Sequence, residues 1–595
     1  MNQVRNIQKS IFKTFVNFSN RKKLQFLFIF FLNILTGYVE FLTIGAVGIF
    51  IASITSSETI VKSKGVNLFF QLLGAKDTNE LVLPTLIIFI IILFLSTIIR
   101  LTNLWLNTKF RVSFIKEIST KAFKKVLNQN YEYHLNKNSS ELISDLTTHV
   151  DKSVGFIDQL LYIFYNIFIS IGIISAIFIV NVRLTFTVSL IIGSLYLIFT
   201  LYINKKISSY SKLEVKANQE LVQTLQEGLG SIKNIILENN QNFHTSKFGK
   251  SVGISRKYQG IVSLYAQSPK FVIEALGFSV IALIGYSIST NQNNLNGLAF
   301  LGSFALGAQK LLPAIQNIYS SWTNLISYNK GYEKILSLLD LKNEKPINQI
   351  KTRRYRGPII IQNISYRYPK SNKNSLNDIS LTINRGEKIG LMGKTGSGKT
   401  TLINILMGLL KPSKGDIIAD NINIFDRKNI NSLIQWRQRI GHVPQKIFLS
   451  DSTILENIAL FENKGEINFS KAKSAANTAC ILEYINSTKN NFYTTVGEQG
   501  ISLSGGQVQR LGIARALYKE LDILILDEAT SALDNLTESL LMDNISKYSK
   551  DLTIIIIAHR LKTLEICDRV VDFKNGKISR IITGQKLKSE NKNII

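Results

Sequence analysis

Eight consecutive residues, Gly393-Lys394-Thr395-Gly396-Ser397-Gly398-Lys399-Thr400, fit the spacing GxxxxGK[ST]. Each residue type in that run has a chemical task. The glycines allow backbone N–H groups to close around phosphate oxygens, and a helix beginning there adds its partial positive charge. The ammonium of Lys399 suits the β- and γ-phosphates of ATP, and the Thr400 hydroxyl suits Mg²⁺. A second pair follows downstream, where Ile523-Leu524-Ile525-Leu526 ends in Asp527 and Glu528. Apolar strands seldom finish in paired acids without cause. Asp527 fits the hold on Mg²⁺, and Glu528 fits the general base that orients water toward the γ-phosphate.

These groups need elements to position them. Lys388 to Met392 reads as a strand, and the residues from Thr401 onward open a helix, so the loop sits at a strand-to-helix turn. From Ile359 on, short β-rich runs alternate with helical ones, the pattern of an α/β domain. The first half is different. Apolar runs near 25–54, 82–105, 157–180, 184–203, 271–289 and 297–319 meet or approach the ~20 residues that cross a bilayer. With 595 residues and these two patterns, the chain exceeds one core. The expected division is a membrane domain over 1–335, a linker over 336–357, an ATPase domain over 358–584 and a polar tail over 585–595.

Net charge is +29. That value suits nucleic-acid binding, but basic loops beside apolar spans account for it better. The connection 106–156 carries Lys109, Arg111, Lys116, Lys121, Lys124, Lys125, Lys137 and Lys152, whereas the turn at 289–294 has no charge. The long basic loops, both termini and the ATPase domain are therefore expected in the cytoplasm, with no nucleic-acid partner. Within those loops Leu142, Leu146 and Val150, and again Leu221, Leu225 and Leu229, recur at helical spacing, so the spans are expected to continue outward as helices. The outer loop 56–80 contains an amphipathic stretch that either lies on the membrane or packs against the spans. Cys480 and Cys567 have neither disulfide-framework nor metal-ligand spacing.

Leu503-Ser504-Gly505-Gly506-Gln507, between the phosphate loop and the Asp527-Glu528 strand, resembles the signature of ABC ATPases. Other marks of that family match residue by residue. Tyr368 resembles the aromatic residue that stacks on adenine, and Gln445 the loop glutamine that contacts Mg²⁺. Thr495 to Gly500 is similar to an exporter loop, Ser531 to Asp534 to the dimer-crossing loop, and His559 to the switch histidine that senses γ-phosphate. The resemblance implies six transmembrane helices followed by a P-loop ABC ATPase. It also implies ATP and Mg²⁺ held between Gly393–Thr401 of one copy and Ser504–Gln507 and Asp534 of another, hence a dimer, with a homodimer having two competent sites. A membrane domain placed first on the same chain resembles exporters.

The membrane half is similar to bacterial lipid-linked oligosaccharide flippases and polysaccharide exporters. The carrying residues are Glu40 in Gly37-Tyr38-Val39-Glu40-Phe41, Arg100, Ser268 to Glu274 and Gln309 to Pro313. Ionisable groups at membrane depth are costly and suggest function. Arg100, Lys270 and Lys310 are expected either to line a basic path for an anionic lipid-linked substrate or, for the first two, to snorkel to the interface. Glu40 and Glu274 are candidates to pair with them. What the resemblance implies is ATP-driven flipping across a bacterial inner membrane. A peptide, lipid or drug exporter is the alternative, and an ATP-gated channel or sensor a more distant one.

Overall fold

The computed structural model describes residues 2–55, 82–180, 182–290, 296–342, 353–369, 371–426, 430–497, 503–558 and 560–587. The expected surface stretch in 56–80, residues 498–500 of the exporter-like loop and His559 lie outside the described residues. Chain contacts divide the molecule into two units, 1–129 with 133–344 and 130–132 with 345–595.

The first unit is helical. A short helix α1 (Asn2–Asn17) precedes α2 (Asn20–Thr55) and α3 (Val82–Leu127). After the small helix α4 (Ser139–Leu146) come α5 (Thr148–Val180), α6 (Val182–Gly230), α7 (Gln241–Thr290) and α8 (Asn296–Leu339). Each expected apolar segment lies inside one of the six long helices. The Ile-rich run of α3 would favour a strand in water, but a bilayer offers no partner for backbone groups, and only a helix satisfies them within the segment.

At 46 residues α3 is about 69 Å long, more than twice the hydrocarbon thickness. Its second half buries Phe110, Phe114, Ile118, Ala122 and Val126 at four-residue spacing. The helical continuation of the spans is thereby explained. Three described helices are long and apolar enough to cross a membrane, and the bent pair Ser189–Ile203 with Lys206–Gly230 makes a fourth when counted as one span. The expected fifth and sixth segments lie in α7 and α8. Leu142, Leu146 and Val150 do join a core. Leu225 and Leu229 do not, being 40% and 71% exposed.

Two features fix how these helices meet. A Cβ on Gly37 would lie 2.3 Å from the Phe168 carbonyl oxygen, and one on Gly172 would lie 2.0 Å from the Gly37 carbonyl. Helices α2 and α5 therefore cross backbone against backbone, which only small residues permit. The second feature is Pro269 inside α7. A proline has no N–H, so the Tyr265 carbonyl four residues earlier loses its helical donor. Tyr319 of α8 donates its hydroxyl to that carbonyl at 3.1 Å. Gln316 Nε2 donates to the next carbonyl, Ala266 O, at 3.2 Å, and Tyr196 of α6 donates to Gln316 Oε1 at 2.8 Å. A three-helix polar clasp thus closes around the break.

The second unit is α/β. Six strands order as β12-β11-β3-β10-β9-β6, with β3 (Lys388–Gly393), β6 (Ile440–Val443), β9 (Ile523–Asp527), β10 (Thr553–Ile557) and β11 (Arg569–Lys574) parallel and β12 (Lys577–Thr583) antiparallel. A smaller antiparallel sheet comprises β1 (Ile359–Tyr366), β2 (Leu376–Ile383), β4 (Lys414–Ala419) and β5 (Ile422–Asn423), and the short strands β7 (Ser452–Thr453) and β8 (Thr495–Val496) pair with each other. Every residue of β10 is buried, as a central parallel strand covered on both faces requires. Ile557 of β10 lies level with Leu391 of β3 and Asp527 of β9, so these strands end at one edge.

The clasp yields a coupled prediction. Tyr319→Phe should destabilise the wild type by about 1 kcal/mol, the usual net worth of such a hydrogen bond. In a Pro269→Ala background, where residue 269 regains its N–H, the same change should cost markedly less. Thermal unfolding of the four variants in detergent measures this coupling, and equal losses in both backgrounds would contradict it.

Candidate functional site

At the common strand edge the chain turns from β3 through 393–398 into helix α9 (Lys399–Leu406). Gly393, Gly396 and Gly398 have φ of +142°, +80° and +107°. At Gly393 a Cβ would fall 2.4 Å from the Phe573 carbonyl oxygen, so neither conformation nor space admits a side chain. Lys399 folds over the loop, its Nζ donating to Gly393 O at 2.6 Å and Lys394 O at 3.2 Å. Burial holds its ammonium below the usual lysine range, opposed by the charges of Glu528, Asp527 and Asp572. The Ser397 hydroxyl is buried in the same loop without a hydrogen-bond partner. A free donor, a covered ammonium and glycine-lined space suit a phosphate chain, and the arrangement fits ATP. Thr401 shares a 3.3 Å contact with the Tyr368 hydroxyl, which brings the expected adenine-facing ring to the start of α9.

The acidic pair closes the other side. Burial raises the Asp527 carboxyl, and the Glu528 charge adds to this while Lys399 opposes it. Glu528 has φ of +51°, a left-handed conformation unusual for this residue type and of the kind that clusters at functional sites. Its N–H donates to Ile557 O at 3.0 Å, and its carboxylate accepts from Gln445 Nε2 at 2.6 Å. Lys399, Gln445 and the adjacent pair Asp527-Glu528 are thus brought together from three separate stretches of chain.

The signature residues sit elsewhere in the unit. Ser504 caps helix α10 (Gly505–Leu517) in a reciprocal capping box with Gln507. Gly505 and Gly506 have their nearest neighbours in Ala532 and Leu533. Asp534 caps helix α11 (Asn535–Tyr548), accepting from Leu536 N at 3.1 Å and Thr537 N at 2.9 Å. Sequence reasoning missed two residues that shape this loop. Gln509 donates to Ser531 Oγ at 3.0 Å and accepts from Ala532 N at 2.9 Å. Arg560 donates to Ser531 O at 2.7 Å and Leu533 O at 3.1 Å. The signal for both was position alone, just past a recognised motif.

In the membrane unit Glu40 is the hub. Its carboxylate pairs with the Arg100 guanidinium and accepts from Lys310 Nζ at 2.9 Å, and only 3% of its side chain is exposed. Lys270 is not part of this group. It faces Glu274 at 3.8 Å, beside Tyr196 and Gln316. The three bases expected to form one lining are therefore two separate sets.

A parallel sheet with a phosphate loop at its strand edge, on a chain that begins with membrane-length helices, defines a nucleotide-driven membrane transporter. Residues 26–307 match the ABC transporter transmembrane region family and residues 376–531 match the ABC transporter family. The chain is 27% identical over 514 residues to an ATP-dependent lipid A-core flippase of Neisseria meningitidis, covering 84% of this chain and 80% of that protein. It is 29% identical to a putative multidrug export ATP-binding/permease protein of Bacillus subtilis, covering 79% of this chain and 81% of the relative. It is 31% identical to ABC transporter B family member 29 of Arabidopsis thaliana, with 80% and 74% covered. A solved bacterial Atm1-family ABC exporter with ATP bound shares its fold at a TM-score of 0.76 and 19% identity, covering 96% and 97% of the two chains. The chain belongs to the ABC transporter family, as an exporter half-transporter whose membrane domain is fused to an ATPase that couples ATP hydrolysis to transport.

Gly393→Ala should weaken ATP binding at least about tenfold, because the loop must move off Phe573 to accept a methyl group. Equilibrium binding of a fluorescent ATP analogue to the detergent-solubilised chain measures this, with circular dichroism checking the fold.

Proposed function

We propose that two copies of this chain form a homodimer in a bacterial inner membrane and flip an anionic, glycan-bearing lipid. Gly393–Thr401 and Tyr368 of one copy hold ATP against Ser504–Gln507 and Asp534 of the other. The reading of a second copy is supported by family membership, since the signature of one ABC ATPase domain faces the phosphate loop of another and this chain carries one of each. Closing a nucleotide there takes a surface from outside the chain.

The observation that carries hydrolysis is the Glu528 carboxylate, held by Gln445 at the strand edge that also bears Lys399 and Asp527. Glu528 draws a proton from water as its oxygen bonds to the γ-phosphorus, and the bond to the β–γ bridging oxygen breaks to leave ADP and phosphate. Lys399 offsets charge on the phosphate oxygens, and His559 senses the γ-phosphate. Thr400, Asp527 and Gln445 supply the oxygen donors that Mg²⁺ prefers, and the ion would offset the same phosphate charge. The basic residues of the long loops support a cytoplasmic ATPase and cytoplasmic termini.

For the cargo, the supporting facts are ionisable groups at membrane depth and a flippase among the relatives. Arg100, Lys270 and Lys310 are the proposed substrate-facing bases. Drug export is the second reading, favoured by the Bacillus subtilis relative.

Glu528→Gln should retain ATP binding, lower turnover by at least about a hundredfold and accumulate the closed dimer. Phosphate release and cross-linking between copies test both parts, and normal turnover would remove Glu528 from its role. In proteoliposomes, ATP-dependent movement of a prenyl-diphosphate-linked sugar separates the two cargo readings, since a drug exporter would move a lipophilic dye and leave the glycolipid in place.

A further inference from the structure

Resting on the anionic-glycolipid reading, we propose that a cavity in the membrane unit is the headgroup site, with its phosphate end and its sugar end distinguishable. The cavity measures about 660 Å³ and lies among α3, α5 and α8. One wall is a single face of α3, because Arg100, Asn103, Asn107 and Arg111 recur at spacings of three and four. Opposite stand Asp158, Gln159, Tyr162 and Tyr165 of α5.

The two arginines differ in what neutralises them. Arg100 shares the single Glu40 carboxylate with Lys310, so two positive charges face one negative and one remains. Its Nε is buried without a partner. Arg111 has its own carboxylate in Asp158, 3.1 Å away. An anion therefore gains most at Arg100, while Arg111 and Asp158 together offer neutral donors and acceptors. The two arginines stand eleven residues apart on the helix, about 16 Å, too far for one phosphate to reach both.

Between the ends lie groups suited to hydroxyls and ring faces. Asn107 leaves its Oδ1 buried without a donor. Tyr162 is 47% exposed, and its ring stacks on Tyr165 at 6.1 Å and 23°. A half-exposed aromatic pair bordered by amides offers an apolar face and polar rim, matching the C–H face and hydroxyl rim of a pyranose. Arg100 belongs to the apolar run of α3, whereas Arg111 lies past it, among the basic residues of 106–156. A lipid-linked sugar has that same polarity, with its phosphate next to the prenyl chain and its sugar in water.

The test uses the full chain in nanodiscs with two labelled probes, farnesyl-diphosphate-N-acetylglucosamine and farnesyl diphosphate, and free N-acetylglucosamine 1-phosphate as competitor. Tyr162→Ala should weaken the glycolipid about tenfold and leave farnesyl diphosphate unchanged, while Tyr162→Phe keeps both. Arg100→Gln should weaken both lipid probes, and the free sugar phosphate should compete poorly for want of a lipid chain. If the wild type binds both probes and Tyr162→Ala alters neither, or alters both equally, the sugar end is overturned while the anionic-lipid reading stands. If the wild type binds neither probe, the anionic-lipid reading falls and the site with it.

Discussion

The parallel register of β3, β10 and β9 is the constraint on which the ATPase chemistry rests. Ile557 lies level with both Leu391 and Asp527, which puts the phosphate loop and the acidic pair at one height. A register slip of one residue in β10 would turn its side chains to the opposite face and change the height of everything attached to it. The all-buried strand resists such a slip because isoleucines fill both faces. The N–H of Glu528 then takes up the Ile557 carbonyl, and its left-handed backbone turns the carboxylate out of the sheet toward Gln445. Strain at one residue is held there by the order of its neighbours.

This dependence explains what sequence could disclose. The phosphate loop, the signature and the Asp527-Glu528 pair are contiguous runs whose chemistry follows from spacing, so they were legible before any fold was known. Gln509 and Arg560 were not, because their partners Ser531, Ala532 and Leu533 become neighbours only after folding. Pro269 is an intermediate case. Its missing N–H is visible in the sequence, but Tyr319 and Gln316, about fifty residues away, come to its carbonyls only through helix packing. The helical spacing of Leu221, Leu225 and Leu229 disclosed the helix, but periodicity reports a face and not what covers it, and Leu225 and Leu229 are exposed.

The same limit separates the membrane charges. Sequence places Arg100 and Lys310 within apolar spans and Lys270 at the start of another, and a single basic lining is the simplest way to gather them. Their division follows from the carboxylates. Glu274 is one helical turn from Lys270 and pairs with it locally. Glu40 lies far from Arg100 and Lys310 in the chain, but the close crossing of α2 and α5 at Gly37, one turn before Glu40, holds its helix deep in the bundle.

One buried carboxylate serving two cations is a poor device for stability, since desolvating charge is expensive and a hydrophobic replacement often does as well. It is better suited to holding cations ready for something else. Neither Arg100 nor Lys310 has Glu40 to itself, and the pair carries one positive charge beyond what Glu40 cancels. With a second carboxylate the group would have been closed, like Arg111 with Asp158. Without Glu40 the two cations would repel each other at membrane depth. A single shared acid is the arrangement that holds both bases in place while leaving net attraction for an anion.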